Sequence, residues 1–412
     1  MNKILKFIFN LQFIYLTIPV LLFLIYFPGI IIAFIRLGIN QETTEFLFLF
    51  LCSLIVYFLT YFFFKTINSY RLIVDRGISL ESFSLVVISL YTFFIFYTVV
   101  TAPKIPLFEA IMGASSSDIA NYREMFFKAR TGFDRILVYI NALFTVSILP
   151  FLVALLYLTK SKYRHIFLVF FILTLLLSME KSLIARAILP LLVLVVNGVI
   201  IEKYISVNII LGVLFIGLIF ITTLTLGRLS SDNVVLIQEV IDIDPITARY
   251  FIISNPDNVI QFLLNRIFWI PYITAIDWLS YFNEILHRDY VYGASSSLIS
   301  GLFGMERMNL ERLVFEYEWG QNESETGSSN TVYFVDIFLN FGWIGVIVSN
   351  MIIALVVNFF EFCDNKAANA TFFVFAYFIV TSSLIAVLFS SGLLLLMFLM
   401  LILKTSYTQN LQ

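Results

Sequence analysis

Charged and metal-binding side chains are scarce in this sequence. Only 13% of its 412 residues are charged, and it contains two histidines and two cysteines. Soluble domains carry roughly a quarter charged residues. Cys52 and Cys363 stand alone, so neither a disulfide framework nor a cysteine metal cluster is indicated. The net charge of −2 and the lack of a basic patch predict no nucleic-acid partner.

The sequence signatures of nucleotide and metal chemistry are also absent. There is no Walker loop, no dinucleotide-binding glycine fingerprint, no HExxH pair and no cluster rich in DxD motifs. The sequence therefore predicts no cofactor and no metal site, and it does not support an ATP-driven mechanism.

Long apolar runs take the place of these features. The composition is 60% apolar with 46 Phe, and the mean hydropathy is +0.96. A membrane-spanning helix needs about 20 apolar residues. The first run follows Lys3 and Lys6 and is too long for a signal-peptide core, which predicts a retained span. We predict an all-α polytopic bundle of about 10 (10–12) transmembrane helices in one integral membrane domain, 1–412, with spans at 11–35, 44–64, 82–101, 136–158, 166–180, 187–201, 205–227, 331–360, 370–389 and 391–403.

Basic residues are distributed unevenly between the loops. With the N-terminus inside, most lysines and arginines of the short loops fall on the cytoplasmic side, and only Arg36, Lys181 and Arg186 fall on the other. The positive-inside rule then predicts that both termini are cytoplasmic. Residues 102–135 form a smaller outer loop and residues 228–330 a large one with amphipathic or re-entrant helices. The smaller loop resembles an interfacial helix, on which Arg123, Lys128 and Arg130 are expected to be solvated.

The large outer loop contains arginine but no lysine. The planar guanidinium fork is suited to phosphate and carboxylate, whereas lysine is a flexible point charge. These arginines either pair with the acidic residues of the loop or meet an anionic ligand. Arg228, Arg249 and Arg266 lie closest to apolar sequence and are the stronger candidates for ligand contacts.

The stretch RIFWIPYITAIDW places Arg266 and Asp277 about three helical turns apart. Pro271 lies between them and predicts a broken or bent helix. We expect 259–283 to be an amphipathic or re-entrant element on the outer face of the bundle. Arg266 then meets a ligand at the interface, or it pairs with Asp277 as a structural staple.

The stretch GSSNTVYFVDIFLNFGWIGV ends the large loop. Ser328, Ser329 and Asn330 precede an apolar helix that carries Asp336 about one and a half turns inside. A carboxylate at this depth is suited to act as a general base on an acceptor hydroxyl, or it pairs with an outer arginine. Gly342 and Gly345 are spaced for close helix packing. Competing bases are Asp277, His287 and Asp289.

This layout resembles the Wzy-type O-antigen and capsular polysaccharide polymerases of the bacterial inner membrane. The resemblance covers nearly the whole chain, and its local carriers are LSMEKSLIAR, NRIFWIPYITAIDWLSYF and SSNTVYFVDIFLNFGWIGV. It implies a metal-independent membrane glycosyltransferase that joins undecaprenyl-diphosphate-linked repeat units at the periplasmic face. The implied partners are the lipid-linked donor and acceptor, membrane lipid and a chain-length regulator protein.

The resemblance also implies roles for individual residues. Asp336 and Arg266 are the predicted catalytic residues, with Asp336 as base or acceptor anchor. The diphosphate is assigned to cations aimed at the charge that develops on the leaving group. These are Arg228, Arg249, Arg266 and Lys181, and the predicted sugar contacts are Asn330, Asp277 and His287.

Two departures from the family pattern bear on the choice of function. No arginine here is followed by a glycine ten residues later, as in the paired outer-loop motifs of some polymerases. The related O-antigen ligases carry His-Asn where this chain has Ser329-Asn330, which favours a polymerase over a ligase. A lipid-linked oligosaccharide flippase or transporter is the remaining alternative. Transporters typically have broken helices and charges at the bilayer midplane, whereas the charges here gather in a loop.

Overall fold

The computed structural model of the protein describes residues 2–36, 38, 40–67, 77–127, 130–179, 181–201, 206–226, 259–320 and 327–403. Within these residues the chain is helical. It forms no strand there, and a single isolated bridge joins Ile78 to Leu403. The predicted all-α fold class is confirmed.

The N-terminal part of the chain is dominated by long apolar helices. A 3-10 turn, Leu11–Leu16, leads into the second helix, and a π-helical segment, Leu143–Ile148, joins the seventh to the eighth. The helices are α1 (Asn2–Ile8), α2 (Thr17–Arg36), α3 (Gln41–Ile67), α4 (Leu80–Thr101), α5 (Pro106–Ile111), α6 (Ser116–Phe127), α7 (Ile136–Ala142), α8 (Leu149–Leu158), α9 (Arg164–Leu176), α10 (Lys181–Val196) and α11 (Val207–Leu226).

The C-terminal part alternates short and long helices. The described helices are α12 (Val259–Phe268), α13 (Ile270–Glu284), α14 (Ser297–Phe303), α15 (Leu310–Trp319), α16 (Tyr333–Cys363), α17 (Lys366–Thr381), α18 (Leu384–Leu388) and α19 (Leu393–Ile402).

Six segments of the described chain are long and apolar enough to cross a membrane. They are Leu11–Ile35, Gln41–Ile67, Leu80–Thr101, Gly132–Leu158, Tyr333–Cys363 and Leu384–Ile402. Shorter apolar helices occur at Arg164–Leu176, Arg186–Val196, Val207–Gly217 and Lys366–Thr381. The protein is therefore a multi-pass membrane protein, while the count of ten spans and the orientation of the termini stay predictions.

One face of α3 shows what surrounds the bundle. Leu51, Ile55, Leu59 and Phe62 follow one another at helical spacing and are all exposed, between 44% and 68%. A continuous apolar stripe of this kind is unusual on a soluble monomer. It is the expected surface of a helix that faces lipid.

The centre of the bundle is built around two C-terminal helices. α16 packs along α3, and α17 lies between α2, α8 and α10. α17 is buried from Ala367 to Ala376 without interruption. Its alanines allow close approach of the neighbouring helices, and a helix that is apolar all round belongs in the interior.

Pro271 separates α12 from α13, as its sequence position predicts. The helix breaks at Trp269, and Pro271 occupies the first turn of α13, where its missing N–H leaves no bond unmade. α13 packs against α2, α3 and α16. Tyr272 lies so close to Gly29 that a Cβ atom there would stand 2.3 Å from the Tyr272 Cβ. The element is thus inserted between helices.

The break at Trp269 also separates Arg266 from Asp277. Arg266 is exposed at the end of α12, whereas Asp277 is buried in α13. Among the residues that the structure describes, no ion pair involves Arg266. The alternative in which Arg266 and Asp277 form a structural staple is therefore not seen among the described residues.

α16 is two helical arms joined at Gly342, and this corrects the single straight span predicted at 331–360. Gly342 has φ 62° and ψ −156°, which interrupts the helix. The Tyr333 hydroxyl donates to Asn350 Oδ1 at 2.7 Å across 17 residues. A straight helix would separate these residues by about 25 Å. The arm 333–341 therefore folds back along the arm 343–363, and we call this unit the hairpin.

The two glycines of the hairpin serve its own closure. A Cβ on Gly345 would lie 2.8 Å from Ile337 Cγ2 on the opposite arm. Gly342 supplies a backbone conformation that only glycine adopts without strain. Their predicted role in close packing between helices is thus replaced by close packing between two arms. The arm 343–363 alone extends about 31 Å, enough to cross a bilayer core.

The break after α17 also differs from the predicted boundary between spans 370–389 and 391–403. α17 ends at Thr381, and Ser382 is extended with φ −157° and ψ 177°. The Ser382 hydroxyl donates back to the Phe378 carbonyl at 2.7 Å. Hydroxyl side chains that bind nearby carbonyls compete with helix continuation. The pair Ser382-Ser383 therefore ends the helix earlier than hydropathy alone predicts.

Candidate functional site

Asp336 lies on the short arm of the hairpin, where it is 3% exposed. It is the fourth residue of α16, which places it in the first turn and not one and a half turns inside. Asn340 Nδ2 donates to its Oδ1 at 3.2 Å. Its Oδ2 is buried and has no hydrogen-bond partner in the described chain, although the Ser383 hydroxyl lies beside the carboxyl group.

No arginine neutralises Asp336 among the described residues. The alternative in which it pairs with an outer arginine is therefore not realised there. A buried carboxylate is costly unless it is paired or hydrogen-bonded. An oxygen that keeps an unfilled hydrogen-bonding position is suited to meet the hydroxyl of a ligand.

Asn340 holds the short arm in place. Its Oδ1 accepts from the Gly293 amide at 3.0 Å and from the Ser295 hydroxyl at 2.9 Å. The Tyr292 amide donates to the Asn340 carbonyl at 3.0 Å. A helix end leaves carbonyls without intrahelical partners. The loop around Gly293 satisfies them, and it thereby fixes the arm that carries Asp336.

Two cations lie near the C-terminal end of α17. The Arg186 guanidinium stands 4.6 Å from the Phe378 ring centroid. Arg186 and Arg266 both interact electrostatically with the hydroxyl of Tyr377. They come from α10 and α12, so the fold brings together cations that are far apart in sequence. Arg266 is exposed and therefore accessible to an anionic ligand.

The end of α17 links the cations to the carboxylate. Tyr377 interacts electrostatically with the two guanidinium groups, and Ser383, six residues further along the chain, lies beside Asp336. The arrangement offers a proton acceptor on one side and positive charge on the other. These are the two functions that a displacement with an anionic leaving group requires.

A polar segment leads into the short arm. The Ser329 carbonyl accepts from Trp278 Nε1 at 3.2 Å, and its hydroxyl donates to Glu318 at 2.5 Å. Asn330 is exposed. Four residues later, Phe334 packs on Phe46 of α3 with ring centroids 5.5 Å apart. The predicted sugar contact Asn330 is thus accessible beside the arm that carries Asp336.

The other predicted site residues are scattered or lie outside the described residues. Asp277 is 1% exposed inside α13. His287 and Asp289 are exposed in the turn after α13. Arg228 and Arg249 lie outside the described residues, and so does the side chain of Lys181, which begins α10. The roles proposed for these residues stay predictions.

The smaller outer loop holds a buried arginine, against expectation. Arg130 is 8% exposed and donates to the Thr98 carbonyl at 3.0 Å and to the Thr101 hydroxyl at 2.6 Å. It therefore satisfies the C-terminal end of α4, as a cation there can. Lys104 stays at the surface, where hydrogen bonds to Glu109 and Tyr122 raise its pKa. Lys128 lies outside the described residues.

No family model, curated protein or solved structure matches the chain. The resemblance to Wzy-type polymerases therefore stays a prediction from the sequence. Within the described residues, no group of three or more His, Cys, Asp or Glu side chains could hold a metal ion.

Three residues of the site were not among the predicted site residues. Arg186 is visible in SMEKSLIAR as an outer cation, but its approach to Tyr377 depends on packing between helices. Tyr377 gives no local signal, because it is one of 21 tyrosines in an aromatic-rich chain. Ser383 does give one, since two successive serines after an apolar helix favour a break.

Proposed function

We propose that the protein is a membrane glycosyltransferase that joins polyprenyl-diphosphate-linked oligosaccharide repeat units into a surface polysaccharide, as the sequence resemblance implies. The observation that supports it is the placement of Asp336 beside Ser383 and of Arg186 and Arg266 near Tyr377, at and just after the end of α17. A lipid-linked substrate keeps its apolar tail in the bilayer and its diphosphate near the interface. Cations at the end of a membrane helix suit such a substrate.

In this proposal Asp336 is the general base. Its Oδ2 takes the proton of the acceptor hydroxyl while that oxygen attacks the anomeric carbon of the donor glycan. The bond between this carbon and the diphosphate oxygen breaks, and polyprenyl diphosphate leaves with the electron pair. Arg186 and Arg266 stabilise the negative charge that develops on the diphosphate. The Phe378 ring packs on the Arg186 guanidinium, and Tyr377 interacts electrostatically with both cations.

A flippase for lipid-linked oligosaccharides is the second candidate, and one observation favours it. α16 is interrupted at Gly342 and α17 ends at Ser382, so two helices break beside polar side chains. Discontinuous helices of this kind are typical of secondary transporters. The absence of a cation beside Asp336 in the described chain fits an ion-coupled step as well as it fits a base.

Both candidates are tested on purified protein in lipid nanodiscs. Undecaprenyl-diphosphate repeat units from the host are added without nucleotide, and the products are resolved as a ladder. We expect a ladder from the natural protein and none from the double variant Arg186→Ala/Arg266→Ala. A matched assay in vesicles follows the movement of a fluorescent lipid-linked oligosaccharide between leaflets. Movement without a ladder would assign the flippase function and reject the polymerase.

A further inference from the structure

A cavity opens on the surface of the bundle beside the turn of the hairpin. It has a volume of about 510 Å³. Its aromatic part is formed by Phe48 and Trp343, and its polar part by Gln41, Glu45 and Arg288. Trp343 directly follows the turn residue Gly342. We call this cavity the α3 cleft, because α3 provides most of its lining.

Two side chains bind Arg288 in the α3 cleft. Its Nη2 stands 3.2 Å from Glu45 Oε2, and its Nε donates to Asn283 Oδ1 at 2.9 Å. His287 and Arg288 have φ values of 50° and 68°, which non-glycine residues seldom adopt. Such strained conformations cluster at ligand-binding sites. Nη1 of Arg288 has no hydrogen-bond partner among the described residues, so it can donate to a ligand.

The charges of the α3 cleft cancel. Arg288 is paired with Glu45, so the polar part offers donors and acceptors without a net positive charge. A phosphate requires uncompensated cations, which this cleft does not provide. A neutral ligand rich in hydroxyl groups uses both partners of the ion pair. The amide of Gln41 adds one more donor and one more acceptor.

The aromatic side chains of the cleft are accessible. Trp343 is 42% exposed and Phe48 is 63% exposed. A sugar ring has C–H groups on its faces and hydroxyl groups around its edge. It can therefore lie on an aromatic surface while its edge meets polar side chains. The exposed aromatic rings of the cleft match the C–H faces of the sugar, and the polar groups beside them match its hydroxyl groups.

We propose that the α3 cleft binds a sugar residue of an oligosaccharide at the membrane surface. This proposal rests on the proposed function, because that function supplies lipid-linked glycan as the ligand. Because Trp343 adjoins the turn whose short arm carries Asp336, a glycan held here lies next to the candidate site. The α3 cleft would then position the glycan while its reacting end lies at Asp336.

The test measures binding directly, without turnover. Oligosaccharide released from the host surface polysaccharide by mild acid, and so free of lipid and phosphate, is titrated against the full-length protein in nanodiscs. The signal is tryptophan fluorescence. Trp269 and Trp278 are each 2% exposed, whereas Trp343 is 42% exposed. Trp343 is therefore the most responsive of these three tryptophans. We expect saturable binding that Gln41→Ala weakens roughly tenfold and a fluorescence response that Trp343→Phe abolishes. Calorimetry confirms the affinity of both variants.

The controls separate this proposal from its rivals. Ile344→Ala alters a side chain that is 76% exposed and lies outside the cleft, and it should bind as the natural protein does. Pyrophosphate or short-chain phosphatidylglycerol that competes with the glycan would instead assign an anion site and overturn the proposal. No saturable binding, or equal binding by Gln41→Ala and the natural protein, would also overturn it. Glycan binding without a polymer ladder would support the glycan site in the α3 cleft and reject the polymerase function.

Discussion

Each end of α16 carries one carboxylate, and the two carboxylates have different surroundings. Glu361 accepts from the Tyr61 hydroxyl at 2.8 Å and pairs with Lys65 at 3.5 Å. Lys65 also lies over the Tyr61 ring, 5.2 Å from its centroid. Asp336, at the other end, is more deeply buried and has no cation in the described chain. Burying a charge costs more at Asp336 than at Glu361, and yet Asp336 is the carboxylate without a counter-charge in the described chain.

This contrast distinguishes a charge that stabilises the fold from a charge that is available to a ligand. Tyr61 and Lys65 link α3 to α16 through Glu361, so this cluster stabilises the contact between two long helices. The surroundings of Asp336 instead fix its backbone through Asn340 and leave Oδ2 unfilled. A buried carboxylate without a counter-charge inside a membrane protein is a candidate for function.

Asp336→Asn is expected to have the largest effect. Activity should fall by about 10²–10⁴-fold, the range expected for loss of a general base. The thermal unfolding midpoint should be unchanged or higher, because an uncompensated buried carboxylate becomes a neutral amide. The rate of ladder formation and the unfolding midpoint are measured on the same preparation. Activity within threefold of the natural protein would remove Asp336 from the site.

Gly342→Ala should unfold the hairpin. The positive φ and the extended ψ exclude a side chain, and a Cβ would stand 2.9 Å from the Tyr290 ring. We expect a loss of about 3 kcal/mol or more in the free energy of unfolding, measured by thermal denaturation. Gly301→Ala is the control, because Gly301 is helical with no atom within 4 Å of its added Cβ. Equal midpoints for both variants would contradict the hairpin.

Arg266→Ala should lower activity by about 10–100-fold without changing stability. An exposed guanidinium is partly replaced by water, so the loss falls below the full effect of a buried charge-stabilising donor. Arg266→Lys should recover part of the activity, since it restores the charge but not the planar fork. Arg307→Ala, at another exposed arginine, is the control. A fall in the unfolding midpoint of Arg266→Ala would point to a structural role instead.

Glu361→Gln should have the smallest effect. Glu361 is 23% exposed and Lys65 is 52% exposed, so the ion pair is screened by solvent. We expect a loss of about 1 kcal/mol in the free energy of unfolding and no loss of activity. Thermal denaturation and the ladder assay measure the two quantities. Loss of activity at unchanged stability would show that both ends of α16 serve the reaction.

Composition alone determined the class of the protein. Apolar runs of membrane length predicted an all-α multi-pass protein because every buried backbone group in a bilayer must be satisfied within a helix or a closed barrel. Local chemistry also predicted the break at Pro271, since an interior proline removes a backbone hydrogen bond and either breaks or kinks a helix. Pro28 and Pro190, by contrast, lie inside α2 and α10. Asp336 stood out in the sequence for a similar reason, as a lone carboxylate just inside an apolar helix.

The tertiary structure decided which of these features meet. Arg186 and Arg266 are in separate helices, and no local pattern indicates that both reach Tyr377. The pairing of Tyr333 with Asn350 depends on a turn at Gly342, and hydropathy is continuous across that turn. The same holds for the missing pair of Arg266 and Asp277. Hydropathy and helix formation depend on neighbours in sequence, whereas the faces that pack together depend on residues far apart in the chain.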